Sequence, residues 1–178
     1  LPRYRAIQTR GIIVLSILAL AFAYANRISF KAEQSYFGDP VVYESHSPYQ
    51  RLVVTRWKDD IRLYINGNLQ FSSRDEARYH EALVHPAMSS ANAVDEVLVL
   101  GGGDGLAVRE ILKYDDVKKI TLVDLDDGMT KLFKTNPVLK NLNNHSFENK
   151  KVSVFNNDAF LWVKEAQKKY NVVIIDFP

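Results

Sequence analysis

The chain has 178 residues, 47% hydrophobic and 25% charged, a globular composition with room for one ordinary domain or for a small domain plus part of a larger one. Its 23 basic and 21 acidic residues leave a formal charge of only +2 and are intermixed, without the basic stripe of a nucleic-acid surface. With no cysteine, disulfides, thiolate metal sites and cysteine nucleophiles are excluded together, which fits a reducing compartment.

Residues 11–25 form an apolar run between Arg10 and Arg27, interrupted only by Ser16 and Tyr24. A bilayer span takes roughly 20 residues and about 17 at minimum, so the run is short, and a signal-peptide core or a buried helix are the competing readings. Asn26, Arg27 and Lys31 match a small-residue cleavage site poorly, whereas arginine stems suit a helix end at the interface. A transmembrane helix with its flanks is therefore expected over residues 1–30. Arg3, Arg5 and Arg10 on one side and Arg27 and Lys31 on the other leave its orientation undecided by charge.

Residues 31–72 read as a small antiparallel β region. The stretches 49–57 and 61–66 are rich in β-branched and aromatic residues, with turns at Lys58-Asp59-Asp60 and Asn66-Gly67-Asn68. Ser73-Arg74-Asp75-Glu76 has the pattern of a capping box, which predicts a connecting helix within 73–94 that begins at Arg74 and ends or bends near Pro86. From Asp95 the pattern changes. Short apolar runs at 97–100, 120–123, 152–155 and 172–175 alternate with amphipathic stretches, which predicts an α/β doubly wound, mostly parallel sheet of Rossmann-like type over 95–178. The fourth run meets Asp176-Phe177-Pro178 with nothing after it to cover its far edge, so the sheet is expected to be truncated there and the sequence to be a fragment.

Gly101-Gly102-Gly103-Asp104-Gly105 follows the first of these strands and opens a helix, where glycines let a ligand approach the backbone. Leu106 stands where a dinucleotide fingerprint wants a small residue, and the Gly-x-Gly-x-Gly spacing favours a nucleoside sulfonium over NAD; a tight turn without ligand is the plainer alternative. Asp124 ends the next strand, where a carboxylate can accept from ribose hydroxyls. Asp126 and Asp127 suit helix capping. Asp158, in Asn157-Asp158-Ala159 at the third strand's end, suits either an adenine amino group or an N-cap. With Asp176 ending the fourth strand, Asp104, Asp124, Asp158 and Asp176 are expected to converge on one crevice, an arrangement suited to a cation. His80-Glu81 followed by His85 is not a zinc helix: a spacing of five turns the two histidines about 140° apart. A packed histidine with Glu76 as its helix partner is the plainer reading of His80.

Tyr49-Gln50, the run Ile65-Asn66-Gly67-Asn68-Leu69-Gln70, then Asp75-Glu76-Ala77-Arg78-Tyr79-His80-Glu81 and the glycine loop with Asp104 together resemble, in order, the spermidine synthases of the polyamine aminopropyltransferase family, over residues 43–178. The resemblance implies transfer of an aminopropyl group from decarboxylated S-adenosylmethionine to putrescine, giving spermidine and methylthioadenosine, with no metal. It implies that Gln50, Gly101, Gly103, Asp124, Asp158 and Ala159 hold the nucleoside, that Tyr79, His80, Asp104 and, more weakly, Gln70 line the aminopropyl and polyamine channel, and that Asp176 is the catalytic acid-base. It also implies a homodimer, and, for membrane-associated members, a catalytic domain on the cytoplasmic side of the cell membrane. Asn66, Asp124 and Leu106 depart from the family's common Asp, Glu and Gly, which leaves the acceptor more open than the reaction class. The family's second acid, a few positions past Asp176, and the gating loop after it are not in the sequence, so the piece is expected to be inactive alone. An S-adenosylmethionine-dependent methyltransferase and a noncatalytic polyamine-binding membrane protein are the alternatives.

Overall fold

The computed structural model describes residues 2–165 and 167–177; the side chains of residues 2–6 and 26–34, including Arg3, Arg5, Arg27 and Lys31, lie outside what is described. There are two compact units, residues 1–41 and 42–178. The first is built on helix α1 (Pro2–Phe37), which continues past Ala25 without a break. Within it Ile7–Ala25 is long and apolar enough to cross a membrane, and none of that stretch is buried. Ile12, Leu15, Leu18 and Phe22 are all exposed, so over residues 7–25 the helix shows no apolar stripe turned to a protein core.

The second unit contains two sheets. Strands β1 (Val41–His46), β2 (Arg51–Trp57), β3 (Asp60–Ile65) and β4 (Asn68–Ser72) lie in the order β1-β2-β3-β4, with β2/β3 and β3/β4 antiparallel. The β3–β4 turn is Asn66-Gly67, both at positive φ (51° and 86°), the backbone that a two-residue hairpin needs and that Asn-Gly tolerates best.

Helix α2 (Glu76–Ser90) departs from expectation at its start and does not end at Pro86. It starts at Glu76, not Arg74, because the Ser73 hydroxyl is used elsewhere: it accepts the Ile61 N–H at 2.9 Å and donates to Asp60, closing β3 onto β4. Glu76, which in a capping box would reach back, is drawn inward by Arg109. The helix also runs through Pro86, whose ring ordinarily costs a helix interior about 3 kcal/mol. Val84 and Met88 pack into the core on either side of it, and the Ser89 and Ser90 hydroxyls donate to the His85 and Pro86 carbonyls at 2.7 Å.

Strands β5 (Glu96–Gly101), β6 (Lys119–Asp124), β7 (Val152–Asn156) and β8 (Val172–Asp176) form a parallel sheet ordered β7-β6-β5-β8, as the four apolar runs predict. Around it lie α3 (Leu106–Ile111), α4 (Asp127–Thr135), α5 (Pro137–Leu142) and α6 (Ala159–Glu165). The chain winds from β5 outward through β6 to β7, then returns to lay β8 on the other side of β5. The reversal puts a switch point between β5 and β8, where an open α/β sheet forms its ligand crevice. One core joins the sheets and helices: Val97, Val99, Ile120 and Leu122 meet Leu106, Val108 and Phe133, and Phe71 of β4 sits edge-on to Phe133 at 6.1 Å. That contact ties the antiparallel sheet to α4, and Phe71 forms part of one wall of the cleft described next.

Candidate active site

The glycine loop leaves β5 at the switch point. Gly101 has φ +81°, and a Cβ there would collide with the Asp176 backbone carbonyl of β8; the Gly102 N–H donates to that same oxygen at 2.9 Å. At Gly103 a Cβ would stand 2.7 Å from the Asp124 carboxylate. These glycines are thus demanded by β8 and β6, which lets three strand ends crowd together. Leu106, in the position that fails the dinucleotide pattern, is wholly buried in the core.

Asp124 is held by two backbone donors, the Gly103 N–H to Oδ2 at 2.9 Å and the Asp126 N–H to Oδ1 at 2.8 Å. Burial nevertheless raises its pKa, helped by the Asp126 and Asp176 charges. Two lone-pair positions remain for a ligand hydroxyl. Asp104 is half-buried; its Oδ1 accepts the Leu106 N–H and its backbone carbonyl accepts from buried Asn143 at 2.9 Å. Burial pushes the Asp104 carboxyl up to about 6, with the neighbouring Asp176 and Asp124 charges adding to the shift and His80 opposing it. The Tyr79 hydroxyl donates to Asp176 Oδ1 at 2.8 Å, and burial together with that carboxylate pushes its pKa up to about 12, so it remains a donor throughout the ordinary pH range.

All eleven residues singled out from the sequence line a single cleft of about 560 Å³. Gln50 and Gln70 come from the antiparallel sheet, Tyr79 and His80 from α2, Gly101, Gly103 and Asp104 from the loop after β5, and Asp124, Asp158, Ala159 and Asp176 from the ends of the remaining parallel strands. A nitrogen of His80 and one carboxylate oxygen each of Asp104 and Asp176 lie within 4.8 Å of one another. Asp158 is exposed and also caps α6, its Oδ1 accepting from Phe160 and Leu161. His85 pairs instead with Tyr114 and Glu110, away from the cleft.

Some of the other lining residues, Phe71, Met129, Phe160 and Phe177 among them, carried no signal of their own in the sequence. Tyr49, Ile65, Phe71, Met129, Phe160 and Phe177 give the cleft apolar and aromatic walls. Ser47 latches the β1–β2 turn: its hydroxyl accepts the Gln50 N–H and donates to buried Asp126 at 2.9 Å, which seats Gln50 over the β6 end. A serine opening a Ser-Pro-Tyr-Gln turn is a local clue to such a latch. The cleft is lined by the carboxylates of Asp104, Asp124, Asp126, Asp158 and Asp176, and among the described residues no lysine or arginine lines it. Such a site attracts cations and suits a pyrophosphate badly.

The raised Asp104 pKa has a consequence for stability. Because the folded state holds that proton more tightly than the unfolded chain, stability should fall as pH rises from the ordinary carboxylate range through about 6. Asp104→Asn should remove this loss and stabilise the ligand-free protein at pH 7.5 by on the order of 2 kcal/mol, read as a higher melting temperature with a flatter dependence on pH.

Residues 76–178 match the spermine/spermidine synthase domain. The chain is 52% identical over 172 residues to a polyamine aminopropyltransferase of Leptospira interrogans, and 54% identical over 173 residues to polyamine aminopropyltransferase 2 of Ralstonia nicotianae. Each alignment takes in 97% of this chain and 34% of the relative, so the chain spans about a third of the length of these relatives. The crystal structure of spermidine synthase from Thermotoga maritima superposes with a TM-score of 0.71 at 27% identity, covering 76% of this chain and 47% of that one. A spermidine synthase in complex with the transition-state analogue AdoDATO gives 0.72 at 27% identity, covering 78% and 46%. With the doubly wound sheet, the glycine loop and the acidic cleft in place, the matched span settles the affiliation: this chain belongs to the spermine/spermidine synthase family.

Proposed function

We propose that the full-length protein transfers the aminopropyl group of decarboxylated S-adenosylmethionine to putrescine, giving spermidine and methylthioadenosine. The observation that carries this reading is the cleft's charge: five aspartates and no described lysine or arginine line a space where a sulfonium donor and a diammonium acceptor would meet. Asp124 accepts from the ribose hydroxyls, Asp158 and Ala159 border the base, and Gln50 closes over the nucleoside with Gly101 and Gly103 beneath it. Tyr79, His80, Asp104 and Gln70 line the channel for the aminopropyl group and the diamine.

An alkylammonium with a pKa near about 10 must shed a proton before it can attack. Asp176, oriented by the Tyr79 hydroxyl, takes that proton. The amine lone pair then forms the new C–N bond as the C–S bond breaks, its electrons neutralise the sulfonium, and methylthioadenosine leaves as a neutral thioether. Asp104 attracts the terminal ammonium of the decarboxylated donor and repels the carboxylate of S-adenosylmethionine. Calorimetry on the full-length protein should find the decarboxylated donor at least about tenfold tighter than S-adenosylmethionine, a difference of about 1.4 kcal/mol. Asp104→Asn should erase that preference, and equal affinities in the unaltered protein would refute the reading.

We further propose the organisation set out from the sequence: a membrane helix, a small β region, a connecting helix and a catalytic sheet. Ile7–Ala25 would span about 28 Å at 1.5 Å per residue, close to the hydrocarbon thickness, and an apolar helix exposed on all sides is supported by lipid better than by water. On this reading residues 42–178 face the cytoplasm, as the resemblance to membrane-associated members implies. The full-length protein should stay with membranes through alkaline carbonate extraction, and its release would count against the anchor. A homodimer, also implied by the resemblance, is checked by sedimentation in detergent.

A further inference from the structure

The acid of α2 that contacts His80 is not the one in the Tyr79-His80-Glu81 motif. Glu81 is exposed and reaches Lys113 at 3.8 Å. Glu76, one turn before His80, is buried at 6% exposure and makes the contact to the imidazole. His80 Nδ1 lies 2.8 Å from the Glu76 backbone carbonyl and 2.9 Å from its Oε2. Two acceptors at one ring nitrogen require it to carry a proton, which leaves Nε2 for the cleft. The carboxylate is itself clamped by Arg109 of α3, whose guanidinium meets Oε1 at 2.7 Å and Oε2 at 3.0 Å. Arg109 also donates to the Leu142 carbonyl and to Glu110, so the fork has one geometry.

We propose that Glu76, fixed by Arg109, is a positioning residue that holds the His80 ring with its proton on Nδ1 and turns Nε2 toward the amine subsite between Asp104 and Asp176. This rests on the function proposed above for that cleft. A neutral His80 held in this way offers a lone pair to an N–H of the incoming diamine and helps aim its nitrogen at the donor. The charged groups facing the ring are Glu76 on its own helix, Asp104 from the glycine loop and Asp176 from β8, with the Tyr79 ring edge-on at 5.0 Å. Burial disfavours the imidazolium, but the Glu76 hydrogen bond and the Asp104 and Asp176 charges outweigh it and raise the His80 pKa. Burial works to raise the Glu76 carboxyl, but its hydrogen bonds to His80 and Arg109 hold it below its ordinary range.

The test uses the full-length protein labelled with [13Cε1]histidine, with the His80 resonance assigned by its loss in His80→Gln. In Glu76→Gln the His80 titration midpoint should fall by about one pH unit, and kcat/KM for putrescine should fall by at least about tenfold, the factor one pKa unit represents. Affinity for methylthioadenosine should be unchanged. In a His80→Gln background the second substitution should produce no further loss. Glu76→Asp keeps the charge opposite Arg109 but withdraws the oxygen from Nδ1, and should reproduce the lower midpoint even if the glutamine variant fails to fold. An unchanged midpoint in a folded Glu76 variant, or losses that multiply with those of His80→Gln, would overturn the proposal. If the unaltered protein forms no methylthioadenosine the proposed function fails, while the titration still decides the role of Glu76.

Discussion

Asp176→Asn is expected to lower kcat for aminopropyl transfer by about 10²- to 10⁴-fold, the usual contribution of a positioned general base. The two side chains have the same shape, and Asn Oδ1 can still accept from the Tyr79 hydroxyl that now meets Asp176 Oδ1 at 2.8 Å. Asp176 also holds the sheet through backbone atoms, since its carbonyl accepts from Gly102 and its Cα pairs in register with Gly101. Neither link involves the carboxylate, so methylthioadenosine affinity should be preserved while turnover collapses. Steady-state kinetics with calorimetry separates the two quantities. Turnover retained within about threefold, less than about 0.7 kcal/mol, would remove Asp176 from the base role.

Gly101→Ala is expected to have the largest effect on folding. The residue combines φ +81° with a position where a methyl group would strike the Asp176 carbonyl oxygen and lie 2.8 Å from its carbon. Both struck atoms are backbone, so the strain is relieved only by pulling β8 away from β5. A destabilisation on the order of 4 kcal/mol is expected from backbone strain and lost strand pairing together, read as a lowered urea midpoint or melting temperature. Gly38 makes a useful control. It has φ +72° but nothing within 4 Å of an added Cβ, so Gly38→Ala should cost only the conformational penalty, on the order of 1 kcal/mol.

The parallel strands were legible because each is a short apolar run rich in β-branched residues, with β5 and β6 buried on both faces and β8 on alternate residues, and the β3–β4 turn because Asn66-Gly67 has few other uses. The site residues were legible for a related reason: an α/β sheet gathers the ends of its strands, so acids that close successive strands meet. What stayed hidden depended on contacts between segments remote in sequence. Ser73 looks like a helix cap until β3 brings Asp60 and the Ile61 N–H beside it. Pro86 looks like a helix end until the burial of Val84 and Met88 outweighs the lost hydrogen bond. Glu76 is legible as the helix partner of His80, but nothing local says that Arg109, 33 residues later, clamps its carboxylate. Sheet order was equally hidden, since nothing local says that β8 returns to the far side of β5.

The acidic cleft carries its own stability penalty. Asp104, Asp124 and Asp176 repel one another across a half-buried space, and Asp104 and Asp124 both have raised pKa values for that reason as well as for burial. A protein that only had to fold would place neutral residues there. That a substitution predicted to stabilise, Asp104→Asn, should also erase donor selectivity is the expected trade between a preorganised site and the fold beneath it.

The most direct measurement is product identity. The full-length protein is incubated with putrescine and either decarboxylated S-adenosylmethionine or S-adenosylmethionine, and the nucleoside products are read by mass spectrometry. Methylthioadenosine and spermidine in equal amounts from the decarboxylated donor, with none from the intact one, is the predicted result; S-adenosylhomocysteine from the intact donor would show methyl transfer and contradict it.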